Sequence, residues 1–216
     1  MKRNLRVPFF LPKIITYNDS VHMKTKTLFI NVLFATLLAF ALYYSYQKGE
    51  EKRSYNPYQV QFETSLGKKS IADFKGKTVL IYFGFLSCPD VCPTTLQTVT
   101  SAFKKLSPEE QDKVIMLFID LDPERDKLEN LKNYLSNFHP NIIPFSADLK
   151  TLKEVTKAIG IFFEKVPLKE SKMGYTIDHS TGLLLLSKSG ELITNINHGA
   201  TSAEIVAYLK DEFKKP

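Results

Sequence analysis

From about residue 59 onward the chain reads as an α/β domain, a central mixed sheet flanked by helices, and ahead of it stands one apolar helix. Three observations predict this. Residues 28–46 are apolar apart from Asn31, Thr36 and Ser45, close to the roughly 20 residues that a bilayer-spanning helix needs. Two runs rich in β-branched and aromatic residues, 78–83 and 114–120, have the character of buried strands. Between and after them, apolar residues recur at helical spacing.

Taken in order, the first 26 residues form a basic tail, with Lys2, Arg3, Arg6, Lys13, Lys24 and Lys26 against Asp19 alone. The formal charge of +6 is therefore mostly N-terminal, and the body carries no basic stripe interleaved with aromatics, which excludes nucleic acid as a partner. Disordered and collagen-like classes are excluded by the 44% hydrophobic content. Positive charge ahead of an apolar run orients a membrane anchor over residues 27–46, with Tyr43, Tyr44 and Tyr46 as an aromatic belt where the span leaves the bilayer. Everything after Lys48 then faces the periplasm, or the intermembrane space in an organelle. A cleaved signal peptide is the alternative, because Ala39-Phe40-Ala41 resembles a small-residue cleavage site, and a start at Met23 would give a compact positive segment directly before the apolar run. Residues 47–58 are polar and read as a linker to a domain over 59–216.

Within that domain, 78–83 is the first clear strand and ends at Gly84. Leu96, Val99, Ala102, Phe103 and Leu106 mark a helix over 94–106, and 114–120 is the next strand. Leu128, Leu131, Leu135 and Phe138 give a second helix, and Leu152, Val155 and Ile159 a third. Strands at 183–186 and 192–196 flank a Ser189-Gly190 turn, and a helix over about 202–213 closes the chain.

The two cysteines lie between the first strand and the first helix, in Ser87-Cys88-Pro89-Asp90-Val91-Cys92-Pro93. That is where thioredoxin-like folds keep their thiols. A purely structural disulfide over so short a loop would remove little unfolded-state entropy. Pro93 suits a first helical turn, which places Cys92 at the positive helix end and favours its thiolate, the form that binds metals and attacks disulfides. Three intervening residues, rather than the two of thioredoxin-type redox pairs, lean toward a soft metal ion without excluding exchange.

A third ligand would come from His22, His139, His179 or His198. His22 lies on the wrong side of the membrane, His139 before Pro140 is explained as a cation at a helix C-terminus, and His198 before Gly199 suits a turn. His179 stands on a loop, Tyr175-Thr176-Ile177-Asp178-His179-Ser180, within reach of the cysteines, although a loop histidine is as readily a hydrogen-bonding residue as a ligand. Asp178 is either its orienting partner or a solvated turn carboxylate. Asp120, Asp122 and Asp126 with Arg125 read as a strand-end turn and helix cap in preference to a hard-metal site.

The stretch Tyr82-Phe83-Gly84-Phe85-Leu86-Ser87-Cys88-Pro89-Asp90-Val91-Cys92-Pro93-Thr94-Thr95-Leu96 closely resembles the Sco (SenC) copper-chaperone family. Asp120-Leu121-Asp122-Pro123-Glu124-Arg125-Asp126 and the segment around His179 agree in order and spacing, and the resemblance extends from about Val60 to the C-terminus. It implies a thioredoxin-like fold and one copper ion, Cu(I) or Cu(II), held by Cys88, Cys92 and His179. It further implies a metallochaperone acting on the binuclear copper centre of cytochrome c oxidase subunit II and loaded by an upstream copper donor. The alternative it leaves is a thiol–disulfide oxidoreductase that reduces the subunit II cysteines, or serves in redox sensing, through the pair Cys88 and Cys92. A peroxidase ranks last, since no arginine flanks the cysteines. Ser87 and Leu86 depart from the residues frequent in the family, and residues 60–66 lack its proline-rich opening.

Overall fold

The computed structural model describes residues 19–169 and 171–215, with side chains inside the first helix described over 27–48. Most of the expected basic tail lies outside the described residues. The chain forms two compact units that divide between Tyr55 and Asn56.

The N-terminal unit is the helix α1 (Asp19–Ser54). Its segment Thr27–Lys48 is long and apolar enough to cross a membrane, and none of it is buried within the protein. At 1.5 Å per residue these 22 residues span about 33 Å, which matches the hydrocarbon thickness of a bilayer. The helix runs on to Ser54 where the sequence predicted a linker from residue 47. Glu50, Glu51, Lys52 and Arg53 are straight-chain residues that lose little rotamer freedom in a helix, so polarity alone does not end it.

The second unit opens with two short strands, β1 (Phe62–Thr64) and β2 (Gly67–Lys69), then β3 (Thr78–Gly84), α2 (Val91–Lys104), the single turn α3 (Pro108–Gln111), β4 (Val114–Asp120), α4 (Leu128–Leu135) and β5 (Ile142–Ser146). The remainder is α5 (Leu149–Ile159), the pair β6 (Phe163–Pro167) and β7 (Tyr175–His179), β8 (Leu183–Leu186), β9 (Leu192–Ile196) and α6 (Ser202–Lys214). Seven strands form one mixed sheet in the order β2-β1-β5-β4-β3-β8-β9, and β6 and β7 form a separate antiparallel pair.

Strands β3 and β4 are central and parallel, and every residue in both is buried. Each has a covered face on both sides, which is why both read as continuous apolar runs rather than alternating ones. Leu80 and Tyr82 pack with Leu96, Val99 and Phe103 of α2 and with Leu209 of α6. On the other face Val79, Ile81 and Phe83 meet Phe145, Leu152 and Val155.

The sequence missed β5. It contains Pro144, which pairs with Phe118 of β4, whereas β1 pairs only with Phe145 and Ser146. Pro144 thus sits beyond the end of the β1 ladder, where its missing N–H leaves no bond unmade. The segment 60–66, which lacks the proline-rich opening frequent in the family, supplies β1, whose Phe62 is buried against Phe145 with ring centroids 5.3 Å apart.

Candidate metal centre

Strand β3 delivers the chain to Gly84, after which residues 85–90 turn into α2. The parallel register sets Gly84 beside Asp120, so the loops that follow β3 and β4 meet at one edge of the sheet. The cysteine loop occupies this edge, with the amide of Cys88 donating to the carbonyl of Phe85 at 3.3 Å.

Cys92 is the second residue of α2 and has no solvent exposure. Its thiol is pushed up to about 12 by burial, and the hydrogen bond from the Tyr82 hydroxyl at 3.5 Å offsets this only in part. This corrects the sequence expectation that the helix end favours a Cys92 thiolate: desolvation disfavours the charged form more strongly than the first turn supports it. Cys92 instead donates its backbone N–H to Sγ of Cys88 at 3.3 Å. The positive helix end therefore serves the half-buried Cys88. Pro93 is the third helical residue, where a missing N–H is harmless. The two sulfurs are not joined in a disulfide.

His179 is the last residue of β7, not a loop residue as expected. The polar β6–β7 pair was unreadable as strands because its alternation is weak and its partner is local. Nδ1 of His179 lies 2.8 Å from the Ser180 carbonyl oxygen, which fixes the proton on Nδ1 and leaves the Nε2 lone pair free. Burial lowers the imidazole's affinity for a second proton, so the ring is held neutral. It meets Phe85 of the cysteine loop edge-on, with centroids 5.9 Å apart. Asp178, its exposed neighbour, points to the opposite face of the strand, and the Ser180 carbonyl takes the orienting part considered for it.

The structure thus pairs Cys88 with Cys92 and places His179 against their loop. Among the described residues, no three His, Cys, Asp or Glu side chains stand close enough to hold a metal ion as they are. The donors themselves, two thiols and a neutral imidazole with Nε2 unengaged, fit a soft ion such as copper.

The other histidines stand apart. His139 is buried against Phe103 with centroids 5.1 Å apart, and its Nδ1 accepts the Asn141 N–H at 3.1 Å. Burial lowers its proton affinity, so it is a neutral core residue and not the helix-end cation expected. His198 is exposed in the turn before α6. His22 lies on α1.

The carboxylates after β4 also differ from expectation. A turn is present, but none of them caps a helix: the residue preceding α4 is Lys127. Asp120 and Asp122 have no exposure and Asp126 only 5%. Asp126 accepts the amide of Leu86, two residues before Cys88, at 2.7 Å. Asp122 is paired with Arg125 and accepts the Tyr175 hydroxyl at 2.7 Å. Apart from the local pair Asp122–Arg125, nothing in the sequence pointed to these contacts, nor to the Tyr82 hydroxyl on Cys92, since they join residues brought together only by the fold.

A mixed sheet flanked by helices, with a dithiol loop entering a helix, defines a thioredoxin-like protein. The chain belongs to the SCO1/SenC family, whose model matches residues 47–214. An SCO2-like protein of Rickettsia prowazekii is 37% identical over 138 residues, 64% of this chain and 67% of its own length. The human mitochondrial SCO2 homolog is 34% identical over 137 residues, and there the chain spans 51% of the relative's length. Among solved structures, copper-bound ScoI of Bradyrhizobium japonicum is 35% identical with a TM-score of 0.64, covering 70% of this chain and 96% of that one. Copper-bound yeast Sco1 is 29% identical with a TM-score of 0.65, over 72% and 87%.

Proposed function

We propose that this protein is a membrane-anchored copper metallochaperone that serves assembly of the binuclear copper centre of cytochrome c oxidase subunit II, carrying copper as cargo on Cys88, Cys92 and His179. The observation that carries the reading is the imidazole: neutral, fixed by Ser180 through Nδ1, with Nε2 free beside the dithiol loop. Family membership and the copper-bound relatives support the same ion. The apolar helix supports a single-pass anchor in the inner membrane over residues 27–46, a basic cytoplasmic tail before it and the domain over 59–216 exported, the orientation following from the positive flank.

The test is to load the full chain with copper in detergent and compare wild type with His179→Ala and Cys92→Ser by metal content and competitive titration. Wild type should hold one copper per chain. His179→Ala should lose more affinity than the roughly 100-fold that outer partners of a metal ligand can cost. A wild type that holds no copper against a mild competitor overturns the reading.

The inequality of the two sulfurs favours a second activity at the same site, thiol–disulfide exchange. The Cys88 thiolate would attack a partner disulfide and release one partner thiolate. Cys92, on losing its proton, would then attack Sγ of Cys88 and release the partner's second sulfur, leaving the partner reduced by two electrons and this chain oxidised. Reduction of an oxidase subunit II fragment by His179→Ala at the wild-type rate is the expected result for this chemistry, which has no need of the imidazole.

A further inference from the structure

The sulfurs and the imidazole sit on parts of the fold that no backbone ladder connects. The cysteine loop continues from β3 in the main sheet, whereas His179 ends a strand that pairs only with β6. Ile177 is the apolar anchor of that pair, 5% exposed among the core side chains on the α5 face of the sheet. Phe163 and Tyr175 of the pair pack partly against the same core; such apolar contacts fix depth but are non-directional, so directional bonds are left to set the pair's angle over the cysteine loop.

Among the described residues, the side-chain hydrogen bonds and ion pairs that tie the pair to the rest of the domain come from one seven-residue stretch, 120–126. Toward the cysteines, the Leu121 amide donates to the Gly84 carbonyl at 2.8 Å and Asp126 accepts the Leu86 amide at 2.7 Å. Toward the histidine strand, Asp122 accepts the Tyr175 hydroxyl, and the Arg125 guanidinium donates to the carbonyls of Met173 and Tyr175 at 3.2 and 3.1 Å while lying 3.8 Å over the Tyr175 ring. Glu124 pairs with Lys165 of β6 at 2.6 Å. Asp122 and Arg125 are themselves joined, and behind them the buried Asp120 carboxyl accepts the Asp122 amide at 3.0 Å. The two sides are therefore braced against a common, buried base.

We infer that residues 120–126 are a positioning brace that sets His179 relative to Cys88 and Cys92, with Asp126 holding the cysteine loop and Asp122, Arg125 and Tyr175 holding the histidine strand. The inference rests on the proposed copper site for its consequence, though not for its mechanics. Because His179 and the cysteines do not yet form a metal-holding group, capture of an ion needs a small approach of one part to the other. A rigid brace limits that approach to one direction.

The full chain in detergent carries the test, in the metal-free and copper-loaded forms, as wild type, Tyr175→Phe, Asp126→Ala and His179→Ala. Tyr175→Phe keeps the ring and the strand and removes only the hydroxyl bond. It should lower copper affinity about tenfold, the scale of outer partners that orient ligands, and move the Cu(II) absorption and paramagnetic resonance spectra toward those of His179→Ala. In the metal-free protein, hydrogen exchange should quicken in the β6–β7 pair of Asp126→Ala, and in the 85–88 loop of Tyr175→Phe. Each variant is thus read in the part it does not touch, and a merely local loss of stability would not show there. Exchange confined in each variant to its own side overturns the brace whatever copper does. If wild type fails to hold copper while exchange spreads to the far side, the brace stands and the copper reading falls.

Discussion

Gly84 leaves β3 where no side chain fits: a Cβ there would lie 2.9 Å from the Phe118 ring and 3.0 Å from Sγ of Cys92. Both neighbours are fully buried, and neither can yield without disturbing the core. Gly84→Ala should therefore cost about 1–3 kcal/mol, the usual penalty of overpacking, read as a lower urea midpoint, and it should displace the Cys92 sulfur. In sequence this glycine marks only the end of a strand. Cys88 and Cys92 were legible because their spacing and the following proline are local features. That burial would outweigh the helix end at Cys92 was not, since it depends on Tyr82 and Phe118, which reach the sulfur from two different strands. His179 was legible as a candidate, yet its fixed tautomer became visible only with the Ser180 carbonyl beside Nδ1.

Among the elements, the segment after β4 carries three buried carboxylates and one arginine. Arg125 neutralises Asp122, which leaves Asp120 and Asp126 without a cation of their own, and burial raises both above the ordinary aspartate range. Carboxyls raised on folding contribute stability that is complete below their unfolded values and is lost as the pH climbs through the folded ones. The urea midpoint should accordingly fall between about pH 4 and about pH 8, and Asp120→Asn, a neutral mimic of the protonated acid, should flatten that fall. An equally steep fall in the variant would move the proton elsewhere. Helix α6 depends on a different local device, a capping box in which Thr201 and Glu204 each accept a backbone N–H of the other. Thr201→Ala should cost about 1 kcal/mol in a thermal melt. Such caps are sequence-local, which is why α6 was read to within a residue, whereas β5 was hidden by Pro144 and β6–β7 by their polarity and weak alternation.

For the whole molecule, buried apolar runs and helical periodicity were enough to give the central strands, four of the helices that flank them and the apolar N-terminal helix. The order of the sheet was not accessible, because register between strands is written in pairings separated by tens of residues. If α1 anchors the chain as proposed, the full protein should stay with the membrane fraction through alkaline extraction, and a chain beginning at Gln47 should be released. Release of the full protein would remove the anchor from the proposal.

One sulfur is sealed and the other is half open. In the proposed transfer this gives the hand-over a sequence in time. An incoming ligand from the acceptor would reach the bonds at Cys88 and His179, which are partly exposed, before the one at Cys92, so the ion would hang from Cys92 last. In that transfer the seal over Cys92 would set the pace of delivery and keep stray oxidants from the last bond holding the cargo.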